Sequence, residues 1–192
     1  MIGFCVWFTG LPGSGKSTVA ARVRDLLAER GHEVILWQMD VRRKVYVSNP
    51  TYSDEERDQS YIRFVEEARD MAERGKGVVL DATGHSLSWR RYAREAIARF
   101  AEVHVACPVE LAMQREAARP QGMVMADLYR KALERKRTGK QVEGLGPVIG
   151  VDLAFEADPQ AECVVDNTGP EPEIAVRSAL DCVLDWLRRT AA

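Results

Sequence analysis

Gly10-Leu11-Pro12-Gly13-Ser14-Gly15-Lys16-Ser17 fits the spacing G-x-x-x-x-G-K-[ST] and constrains this chain more than any other segment. Ile2 to Phe8 precedes it, a short apolar run with aromatic and β-branched residues, the pattern of a strand buried on both faces. Lys16 to Arg30 follows with Val19, Val23, Leu26 and Leu27 at helical spacing, and Gly31 stops that helix. Strand, glycine-rich loop and helix in this order make a phosphate cradle. Glycines reach positive φ and let the backbone wrap an anion closely. The loop N–H groups converge as a nest, and the helix N-terminus adds a fixed partial positive charge. Lys16 is placed to bridge the β- and γ-phosphates of a nucleoside triphosphate, and Ser17 to ligate Mg²⁺. The cradle is expected to run from Gly10 to Thr18 and to hold ATP·Mg²⁺.

The remaining pattern alternates short β-like runs with helical stretches, which predicts an α/β fold with a parallel sheet and helices on both faces. Strands are expected over Glu33 to Trp37, Gly77 to Leu80 (ending in Asp81), Val103 to Cys107 and Glu162 to Asp166. Ser53-Asp54-Glu55-Glu56 reads as a cap and capping box opening a helix that runs to about Arg74. Trp89 to Phe100, Val109 to Ala118, Met125 to Arg137 and Glu173 to Arg189 read as further helices, and Glu143 to Asp158 as a Gly/Pro-rich loop. The expectation is one five-stranded domain over the whole chain, with a helical lid at about 109–150. The last helix offers Ile174, Leu180, Leu184 and Leu187 to its own sheet or to a second copy in a homodimer.

A net charge of −2 leaves no global electrostatic footprint for duplex nucleic acid. No apolar run approaches a membrane span, and Met1-Ile2-Gly3-Phe4 lacks the basic start of a signal peptide, so a cytoplasmic protein is expected. The four cysteines form no CxxC pair; they read as small buried thiols rather than a metal knuckle.

Several classes fall away. No Asn-Lys-x-Asp element for reading guanine is present, and the chain is short for a motor or transport ATPase. Asp40 and Asp81 each follow a strand on the edge where an open α/β sheet keeps its ligands. Carboxylates there can hold Mg²⁺ or activate an attacking hydroxyl. Arg42, Arg43, Arg57 and Arg63 are candidates to clamp an anionic acceptor, because guanidinium makes bidentate bonds to phosphate or sulfate. The basic stretch from Tyr129 to Lys140 suits a lid over a triphosphate. His32, His85 and His104 show no ligand spacing.

Beyond the loop, the chain resembles the adenylylsulfate kinase (APS kinase) family from about Val6 to Asp166. Thr9 to Thr18 is close to the family's G-L-S-G-x-G-K-S-T. Asp40 with Arg43 matches the D-x-x-R of D-G-D-N-x-R, and Tyr52-Ser53 with Arg57 matches F-S-x-x-x-R. Leu128-Tyr129-Arg130-Lys131-Ala132 matches G-L-Y-K-K-A, and Gly150-Val151-Asp152 with Phe155-Glu156 resembles G-I-D-x-x-Y-E. The resemblance implies phosphorylation of the ribose 3′-hydroxyl of adenosine 5′-phosphosulfate. It implies that Asp40 handles that hydroxyl, Arg43 and Arg57 hold the phosphosulfate, Tyr52 stacks on the adenine and Lys131 helps close the lid.

Four departures touch the acceptor side. Ser60 replaces the family's Asn, Asp81 replaces a small uncharged residue, and Thr83-Gly84-His85-Ser86-Leu87-Ser88-Trp89-Arg90 replaces I-S-P-[YF]-R. The lid carries an insertion and a Gly-rich loop. Val79-Leu80-Asp81-Ala82-Thr83 is similar instead to kinases of polynucleotide 5′-hydroxyls or small metabolites. A kinase for such another hydroxyl acceptor is therefore one alternative, and a nucleotide-sensing ATPase module is the other. A polynucleotide end needs a basic groove, and a sensor has no need of Asp40, Arg43 and Arg57 opposite the γ-phosphate.

Overall fold

Five strands form one parallel sheet: β1 (Phe4–Thr9), β2 (Val34–Gln38), β3 (Gly77–Asp81), β4 (Phe100–Ala106) and β5 (Cys163–Asp166). Their order is β2-β3-β1-β4-β5. The computed structural model describes residues 3–48, 50–51, 53–118 and 127–191. β1 is central because it is apolar on both faces. Phe4, Val6 and Phe8 enter one core with α1 (Lys16–Glu29) and α7 (Pro172–Arg189), while Cys5 and Trp7 enter another with α3 (Asp54–Glu73) and α4 (Leu87–Ala96). That is the period-2 alternation of a strand covered on both sides. The sequence order jumps from one neighbour of β1 to the other, so the strand carboxyl ends open a crevice beside the loop that leaves β1.

Several expectations shift. The stretch Trp89 to Phe100 is not all helix: α4 ends at Ala96, and Phe100 already belongs to β4, registered with Cys5. Asp40 does not simply end a strand. It sits in the first turn of α2 (Met39–Tyr46), a helix of 8 residues whose valines disguised it. Ser53 caps α3 by accepting from the Glu56 N–H at 3.2 Å, but Glu56 turns to the Thr51 hydroxyl at 2.8 Å instead of closing the box. α7 packs Leu180 and Leu187 on its own domain, whereas Ile174 is exposed.

The cysteine expectation is corrected in part. Cys163 of β5 and Cys182 of α7 form a disulfide, while Cys5 is a buried free thiol and Cys107 a half-buried one. Spacing of 19 residues carried no signal for that pair; the packing of α7 on β5 created it. Among the described residues no helix is long and apolar enough to cross a membrane.

α5 (Val109–Ala117), α6 (Leu128–Thr138) and the segment around Val148 make a third, smaller apolar cluster of Leu128, Tyr129, Ala132 and Val148 over the crevice.

Candidate active site

The glycine-rich loop is shaped by what surrounds it. Gly13 has φ 83°, and a Cβ there would lie 2.1 Å from the Ala112 carbonyl oxygen of α5. Gly15 has φ 87° and abuts the Asn167 amide, which donates to the Ser14 carbonyl at 2.7 Å. Only glycine fits either position. The Tyr129 hydroxyl of α6 donates to the Pro12 carbonyl at 2.8 Å, so the smaller cluster rests directly on the loop. Lys16 opens α1, is 9% exposed, and donates to the Leu11 carbonyl at 3.5 Å. The buried Ser14 hydroxyl has no hydrogen-bond partner among the described residues.

Next to the loop, Ser17 Oγ donates to Asp81 Oδ1 at 3.1 Å, and Gln38 Nε2 donates to Asp81 Oδ2 at 3.0 Å. Parallel pairing of β1, β3 and β2 fixes this arrangement, because it brings the end of each strand to the same edge. A hydroxyl and one carboxylate are hard oxygen donors. Among the described residues no group of three or more His, Cys, Asp or Glu is placed to hold a metal ion. That set suits a cation that takes most of its ligands from water and phosphate.

A cavity of about 630 Å³ runs from Lys16, Ser17 and Thr18 past Asp81 to Asp40, Arg43 and Arg57, within the size of a small-molecule site. Asp40 and Arg43 are three residues apart on α2 and so share a face. Asp40 is exposed to the cavity, and Arg43 is buried with Nη1 3.4 Å from Glu56 Oε1. Arg57 comes from the first turns of α3 and donates to the Pro147 carbonyl at 2.6 Å. Burial holds its guanidinium below its ordinary value, with Arg43 pushing the same way.

Other sequence candidates lie elsewhere. Ser60 is buried in the fold and does not line the cavity; its hydroxyl has no partner among the described residues. Lys131 is half-buried on α6 and does not line it either. Arg42 is committed to Glu67 and the Tyr46 ring, and Arg63 also pairs with Glu67, both away from the cavity. Tyr52 lies outside the described residues. Sequence reasoning missed Gln38, Tyr61, His85 and Asn167. Gln38 and Asn167 had a usable signal: each is a polar residue at or just past a strand end on the ligand edge. His85 had only its place in the departing segment Thr83 to Arg90, and Tyr61 had none.

The family model for adenylylsulphate kinase matches residues 2–166. The chain belongs to the adenylylsulphate kinase family. A probable adenylyl-sulfate kinase of Archaeoglobus fulgidus is 36% identical over 167 residues, covering 86% of this chain and 97% of that one. An adenylyl-sulfate kinase of Klebsiella pneumoniae is 34% identical over 190 residues, covering 98% of this chain and 84% of that one. Among solved structures, the APS kinase of Mycobacterium tuberculosis in complex with AMPPNP and APS superposes with a TM-score of 0.75 at 26% identity, covering 97% of this chain and 98% of that one.

Proposed function

We propose that this chain transfers the γ-phosphoryl group of ATP to the ribose 3′-hydroxyl of adenosine 5′-phosphosulfate, releasing ADP and 3′-phosphoadenosine 5′-phosphosulfate. The observation that carries this is the single cavity joining Lys16 and the Ser17–Asp81 pair to Asp40, Arg43 and Arg57. The loop N–H groups and Lys16 cradle the β- and γ-phosphates and offset the charge that builds on the equatorial oxygens. Ser17 and Asp81 would hold Mg²⁺, which would supply positive charge to offset that of the phosphates. Asp40 orients the 3′-hydroxyl and takes its proton as that oxygen forms the new bond to phosphorus and the bond to the bridging ADP oxygen breaks. Arg43 and Arg57 bind the phosphosulfate end, and Tyr52 stacks on the base. Residues 109–150 act as the lid: Tyr129 on the Pro12 carbonyl and Arg57 on the Pro147 carbonyl tie the covering segments to both halves of the site, and closure excludes water that would compete for the phosphoryl group. On this reading the enzyme is cytoplasmic and serves sulfate assimilation.

The test is ADP release from Mg·ATP with adenosine 5′-phosphosulfate, beside no-acceptor and 5′-hydroxyl oligonucleotide arms. Strong stimulation by the phosphosulfate alone, with a 3′-phosphorylated product, is expected. Equal release in every arm would mark an ATPase, and stimulation by the oligonucleotide would move the acceptor.

A further inference from the structure

The segment between β3 and α4 walls the acceptor half of the cavity, and it is braced on every side. Gly84 has φ 54° and sits so close to Trp7 that an added Cβ would lie 2.9 Å from that ring. Its N–H donates to the Tyr61 hydroxyl at 3.1 Å. The following carbonyl, that of His85, accepts from the Glu156 N–H at 3.0 Å, while the Glu156 carboxylate accepts from the Leu87 N–H at 2.6 Å. The His85 ring stands edge-on against Trp89 with centroids 4.8 Å apart. Trp89 is itself stacked on Tyr61 at 3.9 Å and donates to Asp58 at 2.7 Å. His85 therefore has its backbone tied on both sides and its ring held by a fixed aromatic, while it lines the same cavity as Arg57. Such support is what a side chain needs when it must aim one hydrogen bond in a set direction.

We propose that His85 is a specificity-determining residue of the acceptor site, donating a hydrogen bond to the anionic end of the acceptor beside Arg57. The proposal deepens the function given above and rests on it. The segment departs from the family's I-S-P-[YF]-R pattern, so this contact belongs to the chain itself. The groups acting electrostatically on the ring are Arg57 and Asp54 of α3, Glu156 of the loop before β5 and Arg90 of α4. Burial first and then Arg57 hold the imidazole at about 4, so near neutrality it carries no charge. A neutral imidazole has one N–H to donate and one nitrogen that only accepts. It can engage one phosphoryl or sulfuryl oxygen without adding a further cation to Arg43 and Arg57, and its accepting nitrogen disfavours a second anionic oxygen on the other side.

Initial rates of ADP release decide it, for wild type, His85→Ala and His85→Asn. Adenosine 5′-phosphosulfate is varied at saturating Mg·ATP, then ATP at saturating acceptor, with thermal midpoints and calorimetric acceptor binding recorded for each protein. His85→Ala is expected to raise the KM for the phosphosulfate roughly tenfold or more, the scale of one hydrogen bond to a charged group, and to leave the KM for ATP unchanged. His85→Asn, which keeps a donor, is expected to recover most of that loss. An unchanged acceptor KM in His85→Ala overturns the inference while wild-type turnover leaves the function standing. Equal rises in both KM values with a lowered thermal midpoint mark His85 as structural and also overturn it. If wild type binds the phosphosulfate without turning it over, the function falls and the calorimetric Kd of His85→Ala takes the place of KM. If wild type does neither, both fall.

Discussion

Gly13 and Gly31 have nearly the same φ, 83° and 85°, in opposite surroundings. A Cβ on Gly13 would meet the Ala112 carbonyl oxygen at 2.1 Å and its carbon at 2.9 Å, whereas one on Gly31 would meet nothing within 4 Å. Both substitutions to alanine incur the cost of left-handed backbone, about 1–2 kcal/mol. Gly13→Ala adds an overpacking cost of about 1–3 kcal/mol, because a carbonyl inside α5 cannot swing aside as a side-chain tip can. The totals are about 2–5 kcal/mol for Gly13→Ala and about 1–2 kcal/mol for Gly31→Ala. At roughly 2–4 °C per kcal/mol for a domain of this size, the midpoint should fall about 4–20 °C in the first and about 2–8 °C in the second. Thermal unfolding by circular dichroism measures both, and Mg·ATP binding on the same proteins should weaken only in Gly13→Ala. Equal midpoints for the two variants, with unchanged ATP affinity in both, would refute the idea that α5 sets the shape of the loop.

Asp81→Asn keeps the shape of the side chain but loses the carboxylate; kcat should fall about 10²–10³-fold and the Mg²⁺ requirement should rise, and normal turnover at low Mg²⁺ would remove Asp81 from the site. Arg90 and Glu102 form a fully buried ion pair at 2.7 Å. Arg90→Met strands the carboxylate and should cost about 3–5 kcal/mol in urea unfolding, with the double variant Arg90→Met/Glu102→Leu recovering part of it. His85 protonates near 6.5 in the unfolded chain but only at about 4 in the folded one, so between those values the unfolded chain binds more protons. Its contribution to stability is present above 6.5 and is lost as pH falls toward 4. The midpoint of His85→Asn should therefore fall less steeply than that of wild type over that window, and parallel profiles would contradict the assignment.

Much of the site was legible because its information is local. The glycine spacing, Lys16 and Ser17 lie within a short stretch of neighbouring residues, and D-x-x-R puts Asp40 and Arg43 on one face of a helix even though that helix went unrecognised. The candidates that failed to reach the cavity, Ser60 and Lys131, sit on helices whose rotation about their axes is set by packing. Ser60 is turned inward with Tyr61 and Phe64 on the buried face of α3, and on α6 it is Tyr129 that hydrogen-bonds the loop, at the Pro12 carbonyl. The partners supplied across long separations were hidden as well: Asn167 reaches Ser14 over 153 residues, and Arg57 reaches Pro147 over 90.

The sequence by itself determined the parallel α/β class, the anion-binding loop and the family, since periodicity and short motifs are properties of neighbouring residues. Tertiary structure decided which carboxylate stands beside Ser17, that Cys163 meets Cys182, and that His85 lines the same cavity as Arg57. Those facts depend on the order in which strands pair and on how each helix is turned when its apolar stripe is buried, and neither is written in any local stretch of chain.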